Sequence, residues 1–183
     1  MGVQLDRIFQ SFAETLDAPP VEDAEIGRGL AALLAALGGF DEVVVFAYRG
    51  KDRPIELFST FAADAYAVFV TLYQAGPYLI DPFYHRALEM RRGVWRMRDI
   101  APDRFFSSEY RRTYYVQTGL AEELGFFLPL GDGVSIVLSL MRREQTGGFS
   151  DKEYRAFGQA EPAVAALMRR GWGRMGERFD AAP

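Results

Sequence analysis

From Asp41 to Phe61 the chain reads DEVVVFAYRGKDRPIELFSTF, where β-branched and aromatic residues crowd on either side of Gly50-Lys51-Asp52-Arg53. Two such runs around a turn-rich tetrapeptide predict a β-hairpin. In the first run Val43, Val45 and Ala47 take one face, and Val44, Phe46 and Tyr48 take the other. Both faces are apolar, so this strand is expected inside a sheet that is covered by other elements on both sides.

Upstream the period is helical. Leu5, Ile8, Phe9, Phe12 and Leu16 form one apolar stripe, and a second helix is expected from about Val21 to Leu37, with Glu22, Asp23 and Glu25 at its start and Gly38-Gly39 at its end. Downstream, residues 62–75 return to helical spacing. Asp81 before Pro82 reads as an N-cap with proline at the first helical position, opening a short helix from Phe83 to Met90. Gly93–Ile100 alternates as a strand, and a helix is expected after Ser107 or Ser108, stopping at Gly119. Leu124–Leu130 and Val134–Arg142 flank Gly131-Asp132-Gly133 as a second hairpin. Ser150 caps a closing helix with Glu153 at the capping-box position, and Pro162 is expected to bend or restart it.

The fold class that follows is α+β: a five-stranded antiparallel sheet flanked by helices, with the hairpins separated by a helical crossover. That is the pattern of GAF and PAS type sensor modules. The 183 residues suit one domain, expected over residues 1–172, with 173–183 a polar, glycine-rich tail or the start of a linker.

Composition narrows the function. Cysteine is absent, which removes thiol chemistry and fits an intracellular protein. No signal peptide is legible, and the longest apolar run, Leu30–Leu37, is far short of a membrane span, so a soluble cytoplasmic protein with no membrane partner is expected. A net charge of −4 argues against direct duplex binding by these residues. Charge is uneven, however: residues 1–41 hold 2 basic and 7 acidic side chains, and residues 86–112 hold 8 basic and 4 acidic. Intramolecular pairing with the acidic N-terminal part is the expected use of this basic middle.

Catalysis is not expected. One histidine, His85, is poor material for a metal site or cofactor ligation, and none is expected; beside Asp81 at i and i+4 it reads as a capping or charge pair. No Gly-x-Ser-x-Gly elbow, Walker A loop or dinucleotide fingerprint occurs. Glu122 and Glu123 are adjacent on a strand, point to opposite faces, and are not expected to share a site. What remains is a binding pocket in the aromatic-rich region from Tyr66 to Tyr115, because a buried tyrosine hydroxyl needs a partner. The ligand-binding candidates are Tyr78, Tyr84, Trp95, Tyr110 and Tyr114. Solid core is the competing use of these rings.

The series YLIDPFYHRA, GVWRMRDIAPDRFFSSEYRRTYYVQTGLAEELGFFLPL and VSIVLSLMRREQTGGFSDKEY, with EPAVAALMRRGW, resembles the N-terminal sensor region of a proteobacterial group of LuxR-type helix-turn-helix regulators. The likeness runs from about Phe40 to Trp172. It implies a GAF-like sensor domain followed by a DNA-binding domain, a small-molecule effector and a homodimer, with DNA reached only through a helix-turn-helix that these residues do not contain. The acyl-homoserine-lactone receptors' pocket motif does not match here residue by residue. Phe9, Phe12 and Leu16, with Leu167, Met168 and Trp172, are the candidate dimer interface. A protein interaction module that binds no ligand is the alternative.

Overall fold

The alternation in Asp41–Phe61 becomes two neighbouring strands of one sheet. The structure, a computed structural model, describes residues 5–17, 22–101 and 118–182. Its strands are β1 (Glu42–Arg49), β2 (Ile55–Ser59), β3 (Gly93–Arg96), β4 (Leu120–Gly131) and β5 (Val134–Arg143), all paired antiparallel in the order β2-β1-β5-β4-β3. The helices are α1 (Leu5–Asp17), α2 (Asp23–Ala35), α3 (Ala63–Tyr66), α4 (Pro82–Leu88), α5 (Met97–Ile100), α6 (Asp151–Trp172) and α7 (Met175–Ala181). Wide π-helical turns extend α3 through Ala67–Leu72, and Pro77–Ile80 forms a 3-10 turn.

Two cores sandwich the sheet. Val43, Val45 and Ala47 join Leu124, Phe126, Ile136 and Leu138 against Leu30, Leu33, Leu34, Phe157, Met168 and Trp172. On the opposite face Val44, Phe46 and Tyr48 join Phe127, Val137 and Met141 against Phe69, Tyr73, Phe83 and Tyr84. β1 is thus buried on both faces, as its two apolar sets require.

Three elements differ from the sequence reading. β3 ends at Arg96, because Arg96 turns back to bond Asp99 (Nε to Oδ2, 2.7 Å) and the i, i+3 pair closes a helical turn where alternation promised strand. α6 runs unbroken through Pro162; both Pro162 and Gly158, whose carbonyl the proline leaves without its N–H, are exposed, so that carbonyl is open to solvent. The segment after Trp172, read as a tail, forms α7 and buries Met175 and Phe179, an i, i+4 pair on one helix face that its glycines concealed.

Leu167, Met168 and Trp172 are corrected as interface candidates. All three are buried in this chain's own core, and the Trp172 indole N–H donates to Asp23 of α2 at 2.9 Å. A helical stripe has the same spacing whether its own chain or a partner covers it. Phe9 is 68% exposed, Phe12 is half-buried against the core, and the Leu16 side chain lies outside the described residues.

Polar groups bind the start of α6 to the sheet. The buried Arg142 guanidinium donates to Gly39 O (2.9 and 2.5 Å), to Gly148 O (2.9 Å) and to Glu153 Oε1 (2.6 Å). Glu153 also completes the capping box with Ser150. Glu122 accepts from Phe149 N (2.7 Å) and lies 3.0 Å from Arg98 Nε; burial pushes its carboxyl above the ordinary range, while Phe149 and Arg98 pull it back. Of the described arginines in the basic middle, Arg86, Arg92, Arg96 and Arg98 pair with Glu89, Glu161, Asp99 and Asp151, and Glu122, none of them in the acidic N-terminal part; Arg104, Arg111 and Arg112 lie outside the described residues.

Close packing fixes one glycine. A Cβ on Gly27 would sit 2.0 Å from Phe58 Cγ, so α2 lies on β2 with no room for a methyl. Gly27→Ala should destabilise the domain by roughly 1–3 kcal/mol in urea denaturation, because overpacking outweighs the gain in helix propensity of about 1 kcal/mol. A stabilised variant would overturn that packing.

Candidate functional site

Asp81 and Pro82 start α4 as the sequence predicts. The Asp81 Oδ1 accepts from Phe83 N at 2.7 Å, which fixes the carboxylate under the sheet. Its Oδ2 accepts from the Tyr73 hydroxyl at 2.6 Å, and Tyr73 is 2.8 Å from the Tyr48 hydroxyl of β1. Tyr73 has one proton, so with that proton on Asp81 the chain of donation runs from Tyr48 to Tyr73 to Asp81. Burial, then the charge of Asp81, pushes Tyr48 well above the ordinary tyrosine range, so its hydroxyl keeps its proton.

These groups line a cavity of about 20 Å³, together with Val44, Phe46, Phe69, Glu123, Ser139 and Met141. That is room for one water-sized group. Register explains the lining: Ser139 of β5 pairs with Val44 of β1 and with Gly125 of β4, and Glu123 pairs with Met141, which sets these side chains in adjoining rows of one face. A Cβ on Gly125 would lie 2.6 Å from Phe127 and 2.8 Å from Phe83, so only glycine leaves α4 this close to the sheet.

Glu123 is the unusual member. It is 3% exposed, and burial, followed by the Asp81 charge, pushes its carboxyl well above the ordinary value near 4.5. A carboxyl raised in the folded state adds stability at low pH, and that stability is lost as pH rises through its folded value. Glu123→Gln removes the ionisation. Its thermal stability relative to wild type should therefore be unchanged below about pH 4, and should rise by roughly 1–3 kcal/mol at pH 8. An equal difference at both pH values would contradict it.

The sequence-expected ligand residues stand beside this cavity. Tyr78 and Tyr84 meet edge to face with ring centres 5.3 Å apart, and their hydroxyls donate to Lys51 O (3.2 Å) and Gly50 O (2.8 Å) of the first hairpin turn. The Tyr78 ring borders Tyr73 at 6.3 Å and the Tyr84 ring borders Tyr48 at 5.8 Å, one layer out from the cavity wall. Trp95 lies apart from them on β3, edge-on to Phe127 at 5.2 Å and beneath the Arg86 guanidinium at 4.4 Å. Tyr110 and Tyr114 lie outside the described residues. His85 is exposed on α4; its N–H bonds Asp81 O, but the two side chains do not pair, since Asp81 is turned to Phe83 and Tyr73.

Sequence reasoning missed Tyr48, Glu123 and Ser139 as wall residues, and placed Tyr73 in the aromatic pocket region without naming it a ligand candidate. The signal was there for Glu123: a carboxylate within LAEELGFFLPL, a strand otherwise buried and apolar, needs either a partner or a use. Among the described residues no group of three His, Cys, Asp or Glu gathers to hold a metal, and no helix is long and apolar enough to cross a membrane.

No protein-family model matches the chain. The VqsR ligand-binding domain of Pseudomonas aeruginosa superposes with a TM-score of 0.75 at 25% identity, covering 93% of this chain and 97% of that one. CepR2 of Burkholderia cenocepacia, an N-acylhomoserine-lactone-dependent factor of the LuxR family, superposes at 0.65 with 19% identity, covering 94% and 97%. The chain has the fold of these ligand-binding domains. The same fold extends to a GAF domain/HD domain protein of Geobacter sulfurreducens, with a TM-score of 0.53 at 13% identity over 93% of this chain and 99% of that one. In sequence, 94 residues are 35% identical to a protein named as an HTH-type transcriptional regulator of the exeN 3′ region of Aeromonas salmonicida. That match covers 50% of this chain and 47% of the relative, so the chain spans about half the length of the curated relative it matches. Both this relative and CepR2 are named as transcriptional regulators.

Proposed function

We propose that the chain is the ligand-sensing, dimerising regulatory domain of a transcriptional regulator, acting on DNA through a helix-turn-helix unit outside these residues. The observation that carries this reading is the polar cavity of Tyr48, Tyr73, Asp81, Glu123 and Ser139 between the sheet and the crossover helices. Polar groups gathered around an internal space serve a bound molecule better than they serve a core. Tyr78 and Tyr84 would support that wall from behind, and Tyr110, Tyr114 and Trp95 stay candidates for contact with a longer ligand.

The route outward is β4. Glu123 faces the cavity, and its neighbour Glu122 on the other face holds Phe149 at the threshold of α6. A ligand that moves β4 biases the packing of α6 and of the terminal helices around it. Phe9, exposed on α1, supplies an apolar contact for a second copy.

A thermal-shift screen against a metabolite library tests the reading. At least one compound should stabilise wild type, with the shift reduced in Tyr73→Phe. Light scattering should give a dimer that Phe9→Glu weakens. The interaction-module reading is favoured by the cavity's volume of about 20 Å³, far below the roughly 300 Å³ of common ligand pockets. No stabilisation by any compound, with a partner captured through Arg91, decides for it.

A further inference from the structure

We propose that the cavity receives the ammonium head of an organic cation, with Glu123 and Asp81 as its two anionic walls; this rests on the reading of the cavity as the ligand site. The two carboxylates come from different elements, Glu123 from β4 and Asp81 from the start of α4, and among the described residues that line the cavity none is Lys, Arg or His. Asp81 is held by Phe83 N and Tyr73. Glu123 is 97% buried, taken from its 3% exposure, and its carboxyl lines the cavity without a hydrogen-bond donor or counter-ion from any described residue. A buried carboxylate so placed is stabilised by whatever positive group enters.

The other walls say what kind of cation. Phe46, Tyr48, Phe69 and Tyr73 present aromatic rings, with Phe46 and Tyr73 centred 5.0 Å apart, and Val44 and Met141 are apolar. Aromatic faces with carboxylates recognise an ammonium that bears carbon, through cation–π attraction to the charge and contact with its methylenes. A divalent metal would instead require a fuller set of oxygen donors, and two carboxylates with hydroxyls from Tyr and Ser do not supply one. The volume of about 20 Å³ fits the head, while a longer tail must part the walls.

The test compares three isosteres, n-butylammonium, 1-butanol and butyrate, by NMR titration and thermal shift on wild type, Glu123→Gln and Glu123→Asp, each checked for fold by circular dichroism. n-Butylammonium should bind wild type at least tenfold more tightly than either isostere, lose at least tenfold in Glu123→Gln, and retain binding in Glu123→Asp, which keeps the charge. The wild-type comparison stands by itself should a variant fail to fold. Equal or tighter binding of butanol or butyrate overturns the cation and leaves a ligand pocket in place. Failure of all three to perturb the cavity residues also overturns it, and the metabolite screen then decides separately whether the domain senses any ligand.

Discussion

Arg142→Ala should cost the domain about 3–5 kcal/mol, because one buried guanidinium leaves and the Gly39 and Gly148 carbonyls and Glu153 lose its donors together. At roughly 2–4 °C per kcal/mol for a chain of this size, the melting temperature should fall by some 6–20 °C. Arg142→Met, which keeps volume and removes the charge, should recover the packing part of the loss but not the links to Gly39, Gly148 and Glu153. Acid titration supplies a second readout. The Arg142 hydrogen bond, working against burial and aided by Ser150, lowers Glu153 to about 2. A lowered carboxyl adds stability above its unfolded value near 4.5, and that stability is lost as pH falls toward the folded value. In Arg142→Ala the acid loss between those limits should flatten. A loss below about 1 kcal/mol, with the wild-type acid profile intact, would show that the guanidinium is not what holds α6 to the sheet.

Trp172→Ala should be as severe, at about 3–5 kcal/mol. The indole is 2% exposed, belongs to the core cluster of Ile26, Leu30 and Met175, and donates to Asp23, so truncation leaves a cavity and removes one of two donors from Asp23, which keeps Arg178. The loss should not depend on protein concentration, since the contact lies within one chain. A melting temperature that converges with wild type on dilution would instead place Trp172 between copies.

The two faces of β1, the Asp81-Pro82 helix start, the two hairpins and the Ser150–Glu153 box were legible in sequence because each follows from near neighbours. The terminal stripe was legible as a stripe, but what covers it depends on α2, over a hundred residues away. α7 was hidden because Gly173 and Gly176 mask a Met175–Phe179 pair that becomes apolar surface only once the helix forms. The site was half legible. Asp81 was correctly seen as a cap, and nothing local says that its other oxygen meets Tyr73 and that both face β1. Glu123 was set aside because it cannot share a site with Glu122; its true companion, Asp81, lies on another element.

That pair of neighbouring glutamates has one more consequence, for folding fidelity. Glu122 pairs with Arg142 and Glu123 with Met141 across the β4–β5 ladder, one carboxylate to each side of the sheet. A slip of one residue in β4 would exchange them, turning the Phe149 anchor into the cavity and the cavity carboxylate toward α6. Leucine and phenylalanine tolerate being exchanged for one another in a core; these two acids do not, because among the described residues an N–H and an arginine meet the Glu122 face and neither meets Glu123. The misaligned sheet would still be hydrophobic enough to collapse, yet it could not seat the first turn of α6. β4 thereby carries its own proofreading mark, written in charge within an otherwise permissive apolar strand.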